Sequence, residues 1–569
     1  MRFASRKAWT GVLAIGCTVV IAACSSSSSS SAGAKTGSTG AVSSGGSITF
    51  ALDEDVAGFN VDQATDNEFV LQEIMDNVMP QSYITQPNYT SVLDTNYFTS
   101  VTVTANPQTI VYHINPKAVW SDGVPITAAD MIYNWQAQSG LPQFKDVGNQ
   151  AYEAASTAGY SQIKSVTSSD GGETATVVFG SPFADWKSLF TDILPAHIAS
   201  KVGFNNGFQT FGASVQVSGG PYMIESYTKN ENLVEVRNPK WWGTPAKLAK
   251  VVYSFITDDS QQPAAVQNGE ANIVNPSLAS LAFFDSVKAI PNFTTTVVPG
   301  LEFQHFDFNQ SNPYIALLPV RQALIAGTNR QEMIDRLVTP LGVSEQPLNN
   351  RMWMPQQPGY QDTGAAYSAF NPTQAKADLV KAGMTLGSDG YFHPNFGPEK
   401  GQDLSLTVST TSGNETREEL EELFQANMKA IGIKIVIQNY AANTLFGTVL
   451  PKGTYDIAEF AWVLTGFDSS NQPIYCSYTN AANCGNNWVH FANKQVDSLF
   501  GQALTDLNPT TDAALYNQID TILWQQAVTL PLFQSPVLTG YSSNYGNVEP
   551  NASNVGVNWN SNFWGIKAS

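Results

Sequence analysis

The chain has 569 residues, 43% of them hydrophobic and only 13% charged, with 43 glycines and 30 prolines. That length exceeds what one hydrophobic core organises, so two or three domains are predicted, and the composition excludes a coiled coil or a disordered chain. Its 47 acidic residues against 28 basic ones give a net charge of −19, which argues against nucleic acid or an anionic lipid surface as partner.

Arg2, Arg6 and Lys7 precede the apolar stretch Ala8–Ala23, too short to span a bilayer, so residues 1–23 read as an export signal. The stretch ends in Ile21-Ala22-Ala23-Cys24, which resembles a bacterial lipobox. Cleavage there leaves Cys24 as a lipid-modified first residue, whereas an ordinary secretory signal leaves it incidental. Seven serines (Ser25–Ser31) and a Gly/Ser/Thr-rich run follow, so residues 24–45 read as a flexible tether, which favours the lipobox. The predicted location is the outer face of the cell membrane, because no later window holds about 18 consecutive apolar residues.

Ser47–Leu52 alternates as a first strand and leads into the polar loop Asp62–Asn67, which precedes the apolar positions Phe69, Ile74 and Val78. Val101–Val103 and Thr109–Ile114 read as a hairpin across Asn106-Pro107. Asp122 before Gly123 reads as a turn residue. Thr127 with Asp130 makes a capping-box start for a helix that buries Met131, Ile132 and Trp135. Gly219-Gly220-Pro221 opens a second hairpin, Tyr222–Tyr227 with Leu233–Arg237, which Asn238-Pro239 ends just before Trp241-Trp242-Gly243. Val251–Ile256 reads as a buried strand. In Leu301–Asn309, Phe303, His305 and Asp307 share one face, and Gln304, Phe306 and Phe308 the other.

Pro319–Ala326 reads as a helix, and Thr328 with Gln331 as the cap of a second one carrying Ile334, Leu337 and Val338. Arg321 reads as a structural ion-pair partner. Leu404, Leu406 and Val408 mark a strand; Leu420, Leu423, Phe424, Met428 and Ile431 mark a helix stopped by Gly432; Ile433, Ile435 and Ile437 mark the next strand. A strand–helix–strand of this length requires a parallel pair. Tyr455–Trp462 is a strand entering the loop Val463–Ser470, Tyr516–Ala527 is helical, and Leu530–Tyr541 is extended. Cys476 and Cys484 form an even pair in an exported chain and read as a disulfide, since neither a histidine nor a third cysteine stands at metal-ligand spacing.

Catalytic motifs are missing. There is no G-x-S-x-G elbow, no phosphate-binding G-x-x-x-x-G-K-[ST] loop and no H-E-x-x-H among the five dispersed histidines. Dispersed acids meeting in space as a glycosidase pair are the enzymatic alternative. The wording GGPYMIESYTKNENLVEVRNPKWWG (Gly219–Gly243), with WSDGVPITAADMIYNW (Trp120–Trp135), NGEANIV (Asn268–Val274), PVRQALIAGTNRQEMIDRLV (Pro319–Val338) and LPLFQSPVLTGY (Leu530–Tyr541), resembles the extracellular solute-binding proteins of family 5, which serve peptide/nickel-type ABC importers.

That resemblance implies an α/β, class II periplasmic-binding-protein fold, with two mixed-sheet lobes and an inserted extra domain. Lobe I would comprise residues 46–78, 218–302 and 528–569, the inserted domain 79–217 and lobe II 303–527. It implies a non-enzymatic receptor with no cofactor and no metal, monomeric, whose partners are a peptide or other small solute and a permease with its ATPase. Thr65, Asp66 and Asn67 would present backbone to the ligand, and Trp462 would stand at the cleft, although a Trp is more often core. Peptide binders of the family place an amine-gripping Asp three residues after that Trp; here the position is Thr465. Either Asp468 takes that task or it is a plain turn residue and the ligand has no free amine there. His305 is a ligand-side candidate whose plainer reading is a packed core histidine, and Trp353 is a candidate pocket wall. A glycoside, a metal chelate or another small molecule is the alternative solute; an exported hydrolase is the alternative class.

Overall fold

The computed structural model describes residues 41–276, 280–478, 484–553 and 555–568. The predicted export signal and Cys24 lie outside these residues. In chain order the main elements are β1 (Ser47–Leu52), α1 (Phe69–Met75), β2 (Phe98–Ala105), β3 (Gln108–Ile114), α2 (Ala128–Gln138), β4 (Ile163–Ser169), β5 (Thr174–Phe179), β6 (Tyr222–Thr228), β7 (Asn232–Arg237), β8 (Lys250–Phe255), β9 (Ile273–Val274) and β10 (Phe293–Phe308). They continue with α3 (Leu318–Gly327), α4 (Arg330–Leu337), β11 (Ser405–Ser409), α5 (Glu415–Ile431), β12 (Lys434–Ile437), β13 (Ile457–Val463), α6 (Pro509–Gln525) and β14 (Thr529–Ser542).

Among the described residues, ten strands form one mixed sheet in the order β12-β11-β13-β10-β14-β9-β1-β8-β7-β6. The long strands β10 and β14 sit at its middle and pair antiparallel from Phe293↔Ser542 to Asp307↔Thr529. β10 has 16 residues, about 50 Å of chain. Its second half pairs with β13, from Glu302↔Val463 to Phe308↔Ile457. The end of β14 pairs with β9. The two halves of the sheet are therefore joined through this one strand pair. Its register breaks between Pro299 and Phe303, where Pro299 faces Pro536 and neither can donate to the ladder. Gly300 sits in that break because a Cβ there would meet the Ser535 carbonyl oxygen at 2.9 Å.

The apolar core divides the same way. One cluster joins β1 (Ile48, Phe50), α1 and β6–β8 to the segment containing Tyr112, Trp120 and Trp135. A second gathers Phe306, Leu324, Leu406, Phe424, Met428 and Leu532 around α3, α5 and β11. A four-stranded sheet, β2-β3-β5-β4, stands apart from the large one, yet its buried side chains belong to the first cluster.

Local signals account for several elements. Thr127 Oγ1 accepts from Ala129 N at 3.3 Å, and Asp130 Oδ2 accepts from Thr127 N at 2.8 Å, closing the capping box of α2. The β6–β7 hairpin forms with a bulge between Val234 and Glu235. Trp241 and Trp242 then pack on Tyr97 at 5.8 and 5.4 Å. β11 and β12 are parallel, and Gly432 ends α5 in the left-handed region with φ 88°.

Three expectations need correction. Asn329, not Thr328, caps α4: its side chain accepts from Glu332 N at 3.3 Å. The Thr328 hydroxyl instead donates to the Leu324 carbonyl within the preceding helix. Among the described residues, Arg321 makes no ion pair. Its guanidinium donates to the carbonyls of Ile315, Ala316, Gln526 and Ala527, tying α3 to the end of α6. The last long helix starts at Pro509 rather than near Tyr516, because the Asn508 side chain caps it by accepting from Thr510 N.

Arg351 and Asp520, both fully buried, pair at 3.0 Å. Arg351 Nε also donates to Thr529 Oγ1 at 2.7 Å, and the guanidinium lies 4.1 Å from the centre of a Trp524 ring. This knot pins α6 to the start of β14. Removing one partner leaves a buried charge uncompensated, so Asp520→Ala is expected to lower the unfolding free energy by about 3–5 kcal/mol. Chemical denaturation of wild type and variant checks this.

Candidate functional site

A cavity of about 900 Å³ opens between three walls: the loop after β1, the segment carrying the four-stranded sheet, and the loop after β13. Val61, Asp62 and Asn67 come from the first wall, Tyr83, Lys187 and Asp192 from the second, and Thr465, Phe467 and Ser470 from the third. A second cavity of about 730 Å³, bordered by Arg330, Glu345, Gln356 and Gln534, lies against residues 328–370 and the strand pair. Only the larger one is lined by all three of those walls, so it is the candidate site.

Asn67 and Thr465 border this cavity. Each is also held by its own loop: Asn67 Nδ2 donates to the Val61 carbonyl at 2.8 Å, and Thr465 Oγ1 accepts from Phe467 N at 3.1 Å. Thr65 is exposed and donates to Gln63 Oε1. Asp66 is fully buried and turned inward, where both carboxylate oxygens accept from Gln209 Nε2 at 2.8 and 2.7 Å. It braces the loop from behind.

Trp462 is sandwiched between His305 (5.9 Å, 24°) and Trp488 (5.2 Å, 25°), with Phe460 at its edge. His305 is fully buried, and its Nε2 lies 3.1 Å from Asp307 Oδ1. Trp353 packs over Gly359, where a Cβ would come within 2.6 Å of the indole. Trp462, His305 and Trp353 are absent from the cavity wall. Cys476 and Cys484 are bonded as a disulfide.

Asp468 is buried at 6% exposure, and its carboxyl is pushed well above the usual range by burial and then by the nearby Asp185 and Asp512. It too is absent from the cavity wall. The acids that do border the cavity are Asp62 and Asp192. Burial, and then Asp192, pushes Asp62 well up against the opposing pull of the Gln138 amide, which donates at 2.8 Å. Burial raises Asp192 to about 6. Among the described residues Lys187 is the only lysine or arginine on the wall; its pKa is lowered by burial and its ammonium lies over the Tyr83 and Trp186 rings. Sequence reading located both loops but missed Asp62, Lys187 and Asp192, single charges in loops that only the tertiary fold brings together.

The remaining wall is mostly amides, hydroxyls and aromatic rings, which suits a polar solute held by neutral donors and acceptors. Among the described residues one grouping has metal-ligand character, Asp389, His393 and Asp403. It sits away from the cavity wall, and Lys434 already stands 3.7 Å from Asp403.

The oligopeptide-binding protein OppA of Mycobacterium tuberculosis is 30% identical over 512 residues, covering 88% of this chain and 82% of that protein. A probable monoacyl phosphatidylinositol tetramannoside-binding protein, LpqW, of the same organism is 28% identical over 64% of this chain and 56% of its own length. Among solved structures, the periplasmic EDTA-binding protein EppA superposes with a TM-score of 0.84 at 24% identity, covering 94% of this chain and 98% of EppA. The Bacillus subtilis oligopeptide-binding protein AppA, solved with a nonapeptide, gives 0.71 at 18% identity, covering 93% and 100%. The fold is therefore the mixed α/β fold of the periplasmic binding proteins. The profile of the bacterial extracellular solute-binding proteins, family 5 (middle region), matches residues 93–483, and the chain belongs to that family.

Proposed function

We propose that the chain is the receptor of an ABC importer: it takes a short peptide into the three-walled cavity and presents the closed form to a membrane permease powered by a separate ATPase. The observation that carries this reading is the cavity itself. A solute inside it touches residues from both halves of the molecule at once, so binding energy goes into holding them together. In this reading lobe I is 46–78, 218–302 and 528–569, the inserted domain is 79–217 and lobe II is 303–527, with β10 and β14 as the hinge strands. Lipid on Cys24 would hold the receptor at the outer membrane face, close to the permease.

A volume of about 900 Å³ falls within the range of about 300–1,000 Å³ usual for small-ligand sites, which favours a short peptide. Polar groups on the wall suit a peptide backbone, which can be read independently of side chains. A chelate like the one named for EppA would carry several negative charges. The wall offers it Asp62 and Asp192 against Lys187, so charge complementarity favours the peptide.

Closure has its own chemistry. Ala184 N donates to the Leu504 carbonyl at 2.9 Å, and Ser469 N donates to Asp185 Oδ2 at 2.8 Å, joining the inserted domain to lobe II. This seam brings Asp185 beside Asp468 and Asp512 and next to Tyr516. Asp512 is raised to about 8 by burial, then by Asp185 and Asp506; Asp185 is raised by burial. The closed form thus holds protons that the open form, with Asp185 in water, releases more readily. A raised pKa favours closure fully below the open-state carboxylate range, and the advantage is lost as pH rises towards about 8.

Two outcomes are expected. Purified mature protein should retain small peptides, seen by mass spectrometry after denaturation, and should bind tri- to pentapeptides with Kd on the order of micromolar or tighter; a retained sugar or chelate, with no peptide bound, overturns the reading. Seam-linked affinity should weaken from pH 6 to pH 8.5, and Asp185→Asn should flatten this slope by removing one of the facing acids. Calorimetric titration of both proteins across that range decides it.

A further inference from the structure

We propose that Asp62 and Asp192, with Asp76 behind them, form a carboxyl pocket that seats an aliphatic ammonium group of the ligand on a different cavity wall from the loop after β13. That this group belongs to a peptide rests on the receptor reading above; the pocket does not.

The three acids come from three places: Asp62 from the loop after β1, Asp76 from the end of α1, and Asp192 from the inserted segment. Neutral amides hold them. Gln72 Nε2 bridges Asp76 Oδ1 at 3.2 Å and Asp192 Oδ2 at 3.0 Å. Gln81 Nε2 donates to the same Asp76 oxygen, and Gln138 Nε2 donates to Asp62 Oδ2 at 2.8 Å. Two oxygens are left over. Asp192 Oδ1 and Asp76 Oδ2 are buried with no hydrogen-bond partner among the described residues. Asp192 is only 4% exposed, yet it lines the cavity.

Among the described residues, no ion pair includes Asp62, Asp76 or Asp192. The ammonium of Lys187 is spent over the Tyr83 ring at 5.6 Å and the Trp186 ring at 5.8 Å. Buried acceptors without donors cost free energy, and nearby like charges add to that cost. A positive donor supplied by the ligand removes both costs. An ammonium brings three N–H bonds, enough to reach more than one carboxyl, and charge-assisted bonds are the strong ones. A divalent metal is the poorer fit, because the ligand-like convergence of oxygens found at Asp389, His393 and Asp403 is not found here. Nor is Asp468 available for the task, since Asp185 and Asp512 close around it.

The test compares probes and variants together by calorimetric titration at constant pH. The probes are tetra-alanine, N-acetyl-tetra-alanine, an N-acetylated tetrapeptide with one lysine, and spermidine; the proteins are wild type, Asp192→Asn and Asp62→Asn. Asn suits position 192, where φ is 49°, because it tolerates the left-handed region. The expected result is that acetylation weakens tetra-alanine at least tenfold in wild type and that both variants erase this discrimination. Recovery with the lysine probe would identify a side-chain ammonium as the occupant, whereas recovery only with the free N-terminus would identify the α-ammonium.

Equal binding of acetylated and free tetra-alanine in all three proteins overturns the pocket while leaving the peptide reading intact. Spermidine binding that Asp192→Asn abolishes, with no peptide bound, upholds the pocket and overturns the peptide reading. Failure of every amine-bearing probe overturns the pocket. The acetylation comparison is made within wild type, so it holds even where a variant folds poorly, which thermal melting reports.

Discussion

The antiparallel pairing of β10 with β14 is the constraint on which the molecule depends. One hydrogen-bonded ribbon runs from Phe293↔Ser542 to Asp307↔Thr529, with strands of one half attached near one end and strands of the other half near the opposite end. A ladder of that length resists stretching but bends where its bonds are missing. Pro299 and Pro536 face each other at that place, and Gly300 fits only because it lacks a Cβ. Hinges that use a few residues at the end or interruption of an element behave in this way. In the proposed receptor the position of the break would set the hinge axis, and with it which loops meet across the cavity.

Two groups of buried and partly buried acids follow from that geometry, with different consequences. Asp185, Asp468 and Asp512 meet at the seam where the inserted segment touches the loop after β13; Ser469 N donates to Asp185, and protonation relieves the repulsion that remains. Asp62 and Asp192 lie beside open volume, so a solute can reach them. Protonation and ligand charge are thus alternative solutions to the same problem of buried like charge. At the seam the raised carboxyl pKa values favour the first, and the pocket proposed above would take the second. In the proposed receptor, closure at a proton-holding seam around a cation-seeking cavity would couple the two without any direct contact between the groups.

How much of this was legible in the sequence depends on whether a feature is local. The capping box at Thr127 and Asp130, the Gly432 stop and the β6–β7 hairpin are decided by residues within a few positions of one another, and each formed as expected. The sequence shows β10 only from Leu301 on, where the alternation is regular; residues 293–300 are held extended by pairing with β14, a partner more than 200 positions away. Asn329 displaced Thr328 as a cap because the threonine hydroxyl had a nearer carbonyl in its own helix. In the loop after β1 the sequence cannot say which acid faces the solute. Asp66 is turned inward by Gln209, 143 residues away, and Asp62 is left to the cavity. Asp192 carries no local signal at all.

Selectivity in such a cavity comes less from contacts made than from contacts left unmade. An apolar wall tells one methylene from another by only about 1–3 kcal/mol, while a wall with buried polar groups penalises a ligand that leaves them unpaired far more severely. The neutral amides of Gln72, Gln81 and Gln138 satisfy part of each carboxylate and leave Asp192 Oδ1 and Asp76 Oδ2 bare. The folded protein carries that cost when empty, and a solute with a matching charge relieves it. A solute of the same size without that charge would have to bury the bare oxygens and gain nothing in return. Thr465 fits this arrangement: it brings no charge to the cavity, and its hydroxyl holds its own turn against Phe467.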